Sequence, residues 1–168
     1  MCRTVNYVLR HIIIIIFWYK LKSEVTNRIK VSILVRQAAA QRHILVVDDD
    51  ELVSEYLGAL LEAESYNVVV LNEPREALNY FKEHPDDFDL IITDQVMPGL
   101  TGVEISQKIL ELRPSIPILL ITGYSEKITA ENAKSFGLSG FFSKPINEDL
   151  FLSQISQLVS AGQMATAH

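Results

Sequence analysis

The stretch RHILVVDDDELV, residues 42–53, runs four apolar residues, Ile44 to Val47, directly into four acids, Asp48, Asp49, Asp50 and Glu51. An unbroken apolar run rich in β-branched residues reads as a strand covered on both faces, the kind found in parallel sheets. Ending such a strand in clustered carboxylates is unfavourable unless something offsets their repulsion, because each raises its neighbours' proton affinity. A divalent cation held by oxygen ligands would do so. A solvated turn whose acids cap the next helix is the more ordinary arrangement, and it accounts for the same residues. The choice turns on what else the chain brings to that strand end.

Outward from this stretch the same alternation repeats. Leu52, Val53, Tyr56, Leu57, Leu60 and Leu61 follow with helical spacing and are expected on one face. NVVVL (67–71) precedes a helical pattern from Pro74 to Lys82, and LIIT (90–93) precedes one from Val103 to Leu112. IPILLI (116–121) precedes one from Glu126 to Phe136, and GFFS (140–143) one from Glu148 to Val159. Five apolar runs alternating with five amphipathic ones predict an α/β fold, a doubly wound five-stranded parallel sheet with helices on both faces. Pro85, Pro114 and Gly137 fall between elements, where chain breakers belong.

With 168 residues, 48% of them hydrophobic, the chain can bury one good core but not two. Its net charge of -6 hides a division. Residues 1–42 carry eight Lys/Arg and one acid (+7), whereas residues 43–168 carry seven Lys/Arg and twenty acids (-13). An acidic globular part repels phosphate backbones, so nucleic acid is not an expected partner. The lone cysteine, Cys2, forms no internal disulfide and suits a reducing cytoplasm. The histidines, His11, His43, His84 and His168, lack zinc-like spacing and read as surface or terminal residues.

The expected organisation is an amino-terminal apolar and basic segment (1–42), a globular domain (43–160) and a short tail (161–168). IIIIIFWYKL lies in a stretch with only nine uncharged residues, His11 to Tyr19, between Arg10 and Lys20. That is short of the roughly 18–20 needed to cross a bilayer. Leu21, Val25, Ile29 and Ile33 recur every fourth residue among Lys22, Arg28, Lys30 and Arg36, which suits a basic amphipathic helix on a membrane surface or a partner. A signal peptide fits less well, since no small-residue cleavage site follows the apolar core. A non-functional extension is the third reading. A cytoplasmic protein, with membrane contact through residues 1–42 as the variant, is the resulting placement.

Each apolar run is followed at once by a chemically useful residue: Asp48 and Asp49 after the first, Asp94 after the third, Thr122 after the fourth, Lys144 after the fifth. In a parallel sheet these positions share the carboxyl edge, where open α/β folds bind ligands. Three carboxylates, a hydroxyl and an ammonium could hold a hard cation such as Mg²⁺ and contact the oxygens of a transferring phosphoryl group, with one carboxylate as nucleophile.

Four stretches, VVDDD (46–50), ITDQVMPGLTG (92–102), LLITG (119–123) and FFSKPI (141–146), taken in order, resemble the response-regulator receiver domain of two-component phosphorelays. The resemblance implies a flavodoxin-like fold with strand order 2-1-3-4-5. It implies Asp94 as phosphoacceptor and Mg²⁺ ligand, and Asp48 and Asp49 as the acidic pair for Mg²⁺, with Asp49 the favoured direct ligand and Asp48 helping directly or through water. The Val96 backbone carbonyl would complete the protein's share of the coordination. Thr122 matches the switch hydroxyl, Lys144 the lysine that pairs with the phosphoryl group, and Phe141 the aromatic switch position. A cis peptide is implied before Pro145. Taken singly, Asp94 would cap a loop, Thr122 would end a strand and Lys144 would be solvated; their combination overrides those readings, whereas for Phe141 a core or half-buried phenylalanine on the last strand stays open as the alternative.

The implied function is a single-domain regulator taking a phosphoryl group from a histidine kinase or histidine phosphotransfer protein onto Asp94. Inward movement of Thr122 would admit Phe141, so the last strand and the fourth and fifth helices become the expected partner or homodimer surface. Such a chain catalyses transfer to itself and is not a turnover enzyme. After Val159 only SAGQMATAH remains, so no output domain is expected there. Val96 and Tyr124 match positions through which the family tunes attack by water, and neither side chain can orient one, which implies slow self-dephosphorylation. Two alternatives remain: a receiver-like interaction module that no longer depends on phosphate, and a haloacid-dehalogenase-like phosphatase. The latter wants its nucleophile after the first strand and a second aspartate two residues on in another context, which DDDEL fits poorly.

Overall fold

The alternating pattern is realised in the computed structural model of the protein, which describes residues 42–123 and 132–165. Expectations for residues 1–41, for the start of the fourth helical pattern and for Tyr124 fall outside those residues. The elements are β1 (His43–Val47), α1 (Glu51–Ala63), β2 (Asn67–Leu71), α2 (Pro74–Glu83), β3 (Leu90–Asp94), α3 (Gly102–Leu112), β4 (Ile118–Thr122), a 3₁₀ turn (Ala133–Phe136), β5 (Gly140–Ser143) and α4 (Glu148–Ala165). All strand pairs are parallel, in the order β2-β1-β3-β4-β5.

Because side chains alternate along a strand, the interior strands feed two separate cores. Leu45, Val47, Ile91, Ile118 and Leu120 pack with Ala77 and Phe81 of α2 and Ile105 and Ile109 of α3. Ile44, Val46, Ile92, Leu119 and Ile121 pack on the other face with Leu57 and Leu61 of α1 and Phe151 and Ile155 of α4. Each such Val, Leu, Ile or Phe side chain, fully buried, stabilises the fold by about 1.5–3 kcal/mol. The edge strands β2 and β5 are only partly buried, which matches their single neighbour in the sheet.

The inward face of α1 is the expected one rotated: Val53 and Leu60 also pack against the core, but the buried centre is shifted. Leu57 and Leu61 are buried, but with Ser54 and Gly58, while Leu52 is 79% and Tyr56 45% exposed. The stripe 54-57-58-61 has the i, i+3, i+4, i+7 spacing of a helix face, and its two small residues let α1 approach β2 closely. A Cβ on Gly58 would stand 3.1 Å from Val70 Cγ2. The fourth helical pattern also differs at its end: residues 133–136 form a 3₁₀ turn in which Gly137 N–H bonds the Lys134 carbonyl at 3.1 Å. Left-handed Gly137 (φ 81°) then stops it. At the carboxyl end, α4 starts at the expected Glu148 but runs past Val159 to Ala165.

A capping box starts α3: the Thr101 hydroxyl accepts from Glu104 N–H at 3.3 Å and the Glu104 carboxylate accepts from Thr101 N–H at 2.8 Å. The backbone bond from Thr101, then its hydroxyl, hold the Glu104 carboxyl below its ordinary pKa. A lowered folded-state pKa means stability present above the unfolded value and lost as pH falls through the folded one. Urea midpoints of wild type and Glu104→Gln should therefore differ at neutral pH and converge below about pH 4. A gap of constant size across that range would contradict the assignment.

Candidate functional site

Sheet register brings the chemically useful residues to one rim. Val47 pairs with Thr93, Asp94 with Ile121 and Thr122 with Ser143, so Asp48, Asp94, Thr122 and Lys144 lie at successive strand ends. Lys144 N–H donates to the Thr122 carbonyl at 2.8 Å, which ties the end of β5 to that of β4. The Lys144–Pro145 peptide is cis.

Three side chains meet directly. Lys144 Nζ stands 2.8 Å from Asp48 Oδ2 and 2.7 Å from Asp94 Oδ1, one ammonium between two carboxylates that are only 2% and 6% exposed. The second oxygen of Asp94 accepts from Val96 N–H at 2.5 Å, and that of Asp48 from Asp50 N–H at 3.0 Å. Burial pushes the Asp48 carboxyl above its usual range; the Lys144 ammonium and the Asp50 N–H oppose this without overcoming it, and the charge of Asp94 adds to the rise. Burial works to lower the Lys144 pKa, yet its hydrogen bonds to Asp48 and Asp94 hold it above the ordinary lysine value. The lysine is therefore charged throughout the physiological range.

The acidic stretch divides by residue. Asp48 points into the ion-pair cluster, while Asp50 is the N-cap of α1 and accepts from Leu52 N–H and Val53 N–H. Asp49, between them, is exposed. Thr122 is buried, and Phe141 is half-buried against the core shared by α2 and α3. The Val96 side chain is 66% exposed beside Asp94.

The loop after Asp94 is closed by Gln95. Its carbonyl accepts from Gly102 N–H at 3.1 Å and its side-chain oxygen from Val103 N–H at 3.2 Å, so one residue holds both the loop and the start of α3. Gly99 sits at φ 84°, a left-handed conformation that other residues resist. Gly102 is needed for a different reason: a Cβ there would lie 2.2 Å from the carbonyl oxygen of Asp94 and 2.6 Å from Leu120 Cδ1. Gly102→Ala should destabilise the fold by at least about 1–3 kcal/mol, as overpacking does, because the nearest atom is backbone and cannot rotate away. Urea unfolding with an unchanged midpoint would contradict this contact.

Mg²⁺ fits the donor set. Among the described residues no three His, Cys, Asp or Glu side chains converge closely enough to enclose an ion by themselves. Mg²⁺ does not require that, since it binds through one or two carboxylates and keeps several waters. Asp48 and Asp94 share a counter-ion, Asp49 adjoins Asp48 in the chain, and the Val96 N–H bonds the Asp94 carboxylate. All are hard oxygen donors or carry them. Asn72, at the end of β2, belongs to the surroundings of this site and was not singled out from the sequence: its side-chain amide donates to the Asp48 carbonyl at 2.8 Å. Its only sequence signal is a polar residue directly after a strand.

Comparison with known proteins gives a consistent result. Residues 44–156 match the family model described as response regulator receiver domain. The transcriptional regulatory protein ZraR of Escherichia coli K12 is 39% identical over 106 residues, 63% of this chain and 24% of that protein. GlrR of the same organism is 28% identical over 124 residues, 74% of this chain and 28% of that one. The chain thus spans about a quarter of the length of these curated relatives. Among solved structures, a receiver domain protein from Clostridium thermocellum superimposes with TM-score 0.71 at 26% identity, covering 74% of this chain and 99% of that one. The regulator TrrA of Thermotoga maritima, solved in complex with Mg²⁺ and BeF, matches with TM-score 0.62 at 30% identity over 70% of this chain and 98% of its own. No helix among the described residues is long and apolar enough to cross a membrane.

Proposed function

Because the chain belongs to the response regulator receiver domain family, we propose that it accepts a phosphoryl group from a phosphohistidine donor onto Asp94, in a Mg²⁺-dependent reaction that alters a partner-binding surface. The single observation that carries this reading is the ammonium of Lys144 held between the buried carboxylates of Asp48 and Asp94. A cation fixed at that point already faces the place where phosphoryl oxygens would gather.

In the proposed transfer a carboxylate oxygen of Asp94 attacks phosphorus, an O–P bond forms, and the N–P bond to the donor imidazole breaks with its electrons returning to nitrogen. Lys144 stays charged and pairs with the phosphoryl oxygens as well as with Asp48. Asp48, Asp49, Asp94 and the Val96 carbonyl would hold Mg²⁺, which when bound would supply charge neutralisation for those oxygens. The near-complete burial of Asp94 limits competing access to the acceptor.

Phosphate brings strong acceptor oxygens to a rim where Thr122 is the adjoining hydroxyl. Thr122 would bond them, and Phe141 on the next strand would follow, so that β5 and α4 present a changed surface to a downstream protein or a second copy. Histidine kinases or histidine phosphotransfer proteins are the donors this chemistry selects. The chain modifies itself once per cycle, so it acts as a phosphoacceptor and not as a turnover enzyme. Incubation with acetyl phosphate and Mg²⁺ tests the reading through intact mass, the gain of one phosphoryl group being expected. Beryllofluoride with Mg²⁺ should shift amide resonances at residues 119–123 and 141–146; an unchanged spectrum and an unchanged mass would leave the phosphate-independent interaction module.

A further inference from the structure

We propose that Asn72 is a positioning residue for the metal-binding acids, setting the direction in which Asp49 is presented by clamping the β1–α1 turn at both of its ends. This rests on the phosphoacceptor reading above. Sheet register places it there: Val47 pairs with Leu71, so the next residue on each strand, Asp48 and Asn72, stand side by side at the rim.

The hydrogen-bond directions admit one arrangement. Ser54, fully buried on the inner face of α1, donates its hydroxyl to the Glu51 carbonyl at 3.0 Å. Asn72 Nδ2 donates one hydrogen to Ser54 Oγ at 2.7 Å and the other to the Asp48 carbonyl at 2.8 Å. Both partners accept, so the amide nitrogen and not the oxygen must face them. The peptide that leaves Asp48 is thereby fixed by Asn72, and the one that leaves Glu51 is fixed through Ser54.

What lies between those two points is the turn 48–51, whose other bonds, apart from the Asp48 ion pair with Lys144, are made within the turn or to the first residues of α1. Asp50 N–H reaches back to Asp48 Oδ1, and the Asp50 side chain caps α1. Without the clamp the 48–49 peptide could rotate, and its rotation would change where the exposed Asp49 carboxylate points while leaving the Lys144 ion pair in place. Asn72 bonds the Asp48 carbonyl and the Ser54 hydroxyl, so its effect runs through backbone orientation. Partners that orient metal ligands in this manner are commonly worth 10–100-fold in affinity.

The test is Mg²⁺ binding to the full chain, measured by titration calorimetry with the metal alone, beside thermal melts in EDTA. Asn72→Ala is expected to weaken Mg²⁺ at least roughly tenfold. Asn72→Asp keeps the shape and turns an acceptor oxygen toward the Asp48 carbonyl. It also adds a negative charge, which by itself would tighten a cation, so weaker binding in this variant isolates orientation from charge. A residue with a merely structural role would lower the EDTA melting temperature of both variants and leave the affinity of the folded protein unchanged. That result, or Asn72→Asp binding Mg²⁺ as well as wild type or better, overturns the proposal, and Asn72→Asp decides it alone if the alanine variant does not fold. If wild-type protein binds no Mg²⁺ and takes no phosphate, the phosphoacceptor reading has failed as well. If wild type does both and the Asn72 variants match it, only the clamp is wrong.

Discussion

Asp94→Asn is expected to keep its mass when incubated with acetyl phosphate and Mg²⁺ under conditions where wild type gains one phosphoryl group. The amide preserves the shape of the side chain but removes the nucleophilic oxygen, so loss of labelling should be complete and not partial. Folding should survive, because the change leaves Lys144 its salt bridge to Asp48 at 2.8 Å and removes only one of two carboxylates from a shared cation. Stability should move by no more than about 1 kcal/mol, in the range of substitutions that create no cavity. Asp49→Asn is the informative companion. Asp49 is exposed and outside the ion pair, so its loss should slow labelling through weaker Mg²⁺ without abolishing the acceptor. Equal labelling of Asp94→Asn and wild type would move the acceptor elsewhere and end the functional reading.

Lys144→Met should give the largest coupled effect on stability and chemistry. Methionine keeps much of the apolar stem while deleting the charge, which leaves Asp48 and Asp94 facing each other with no cation between them. Removing one member of a buried pair costs about 3–5 kcal/mol. The lysine side chain here is 25% exposed, and Asp48 is already inclined to take up a proton, so about 1–3 kcal/mol is the better expectation. The pH dependence follows from the raised lysine pKa. Its contribution is fully present below the ordinary value of 10.5 and is lost as pH rises through the folded-state value. Wild type and variant should therefore differ in urea midpoint at pH 7 and converge at strongly alkaline pH. Mg²⁺ should raise the melting temperature of the variant more than that of wild type, since it would relieve a repulsion that Lys144 otherwise relieves. Stability insensitive to the substitution, with or without Mg²⁺, would show that the ion pair contributes nothing.

The residues on which these outcomes depend differ in how far they could be read without coordinates. Asp94, Asp48 and Lys144 were legible because each directly follows an apolar run, and a parallel sheet sends all such positions to one edge. The inward face of α1 was not. Its periodicity admits two overlapping stripes, and the one that wins contains Ser54 and Gly58, chosen by how close the helix must come to β2 and not by hydrophobicity. Asn72 had no signal of its own, since its partners are a backbone carbonyl 24 positions away and a hydroxyl on another element.

The sequence by itself determined the alternation of strands and helices, the sheet's burial on both sides and the chemical inventory at the strand ends, because these follow from spacing among near neighbours. Tertiary structure alone decided which of Asp48 and Asp49 meets Lys144 and how far the covered face of α1 turns toward Ser54 and Gly58. Those outcomes depend on strand register, which sets Asp48 beside Asn72 and brings Lys144 between Asp48 and Asp94. Register is a relation between distant segments, and no local pattern of residues encodes it.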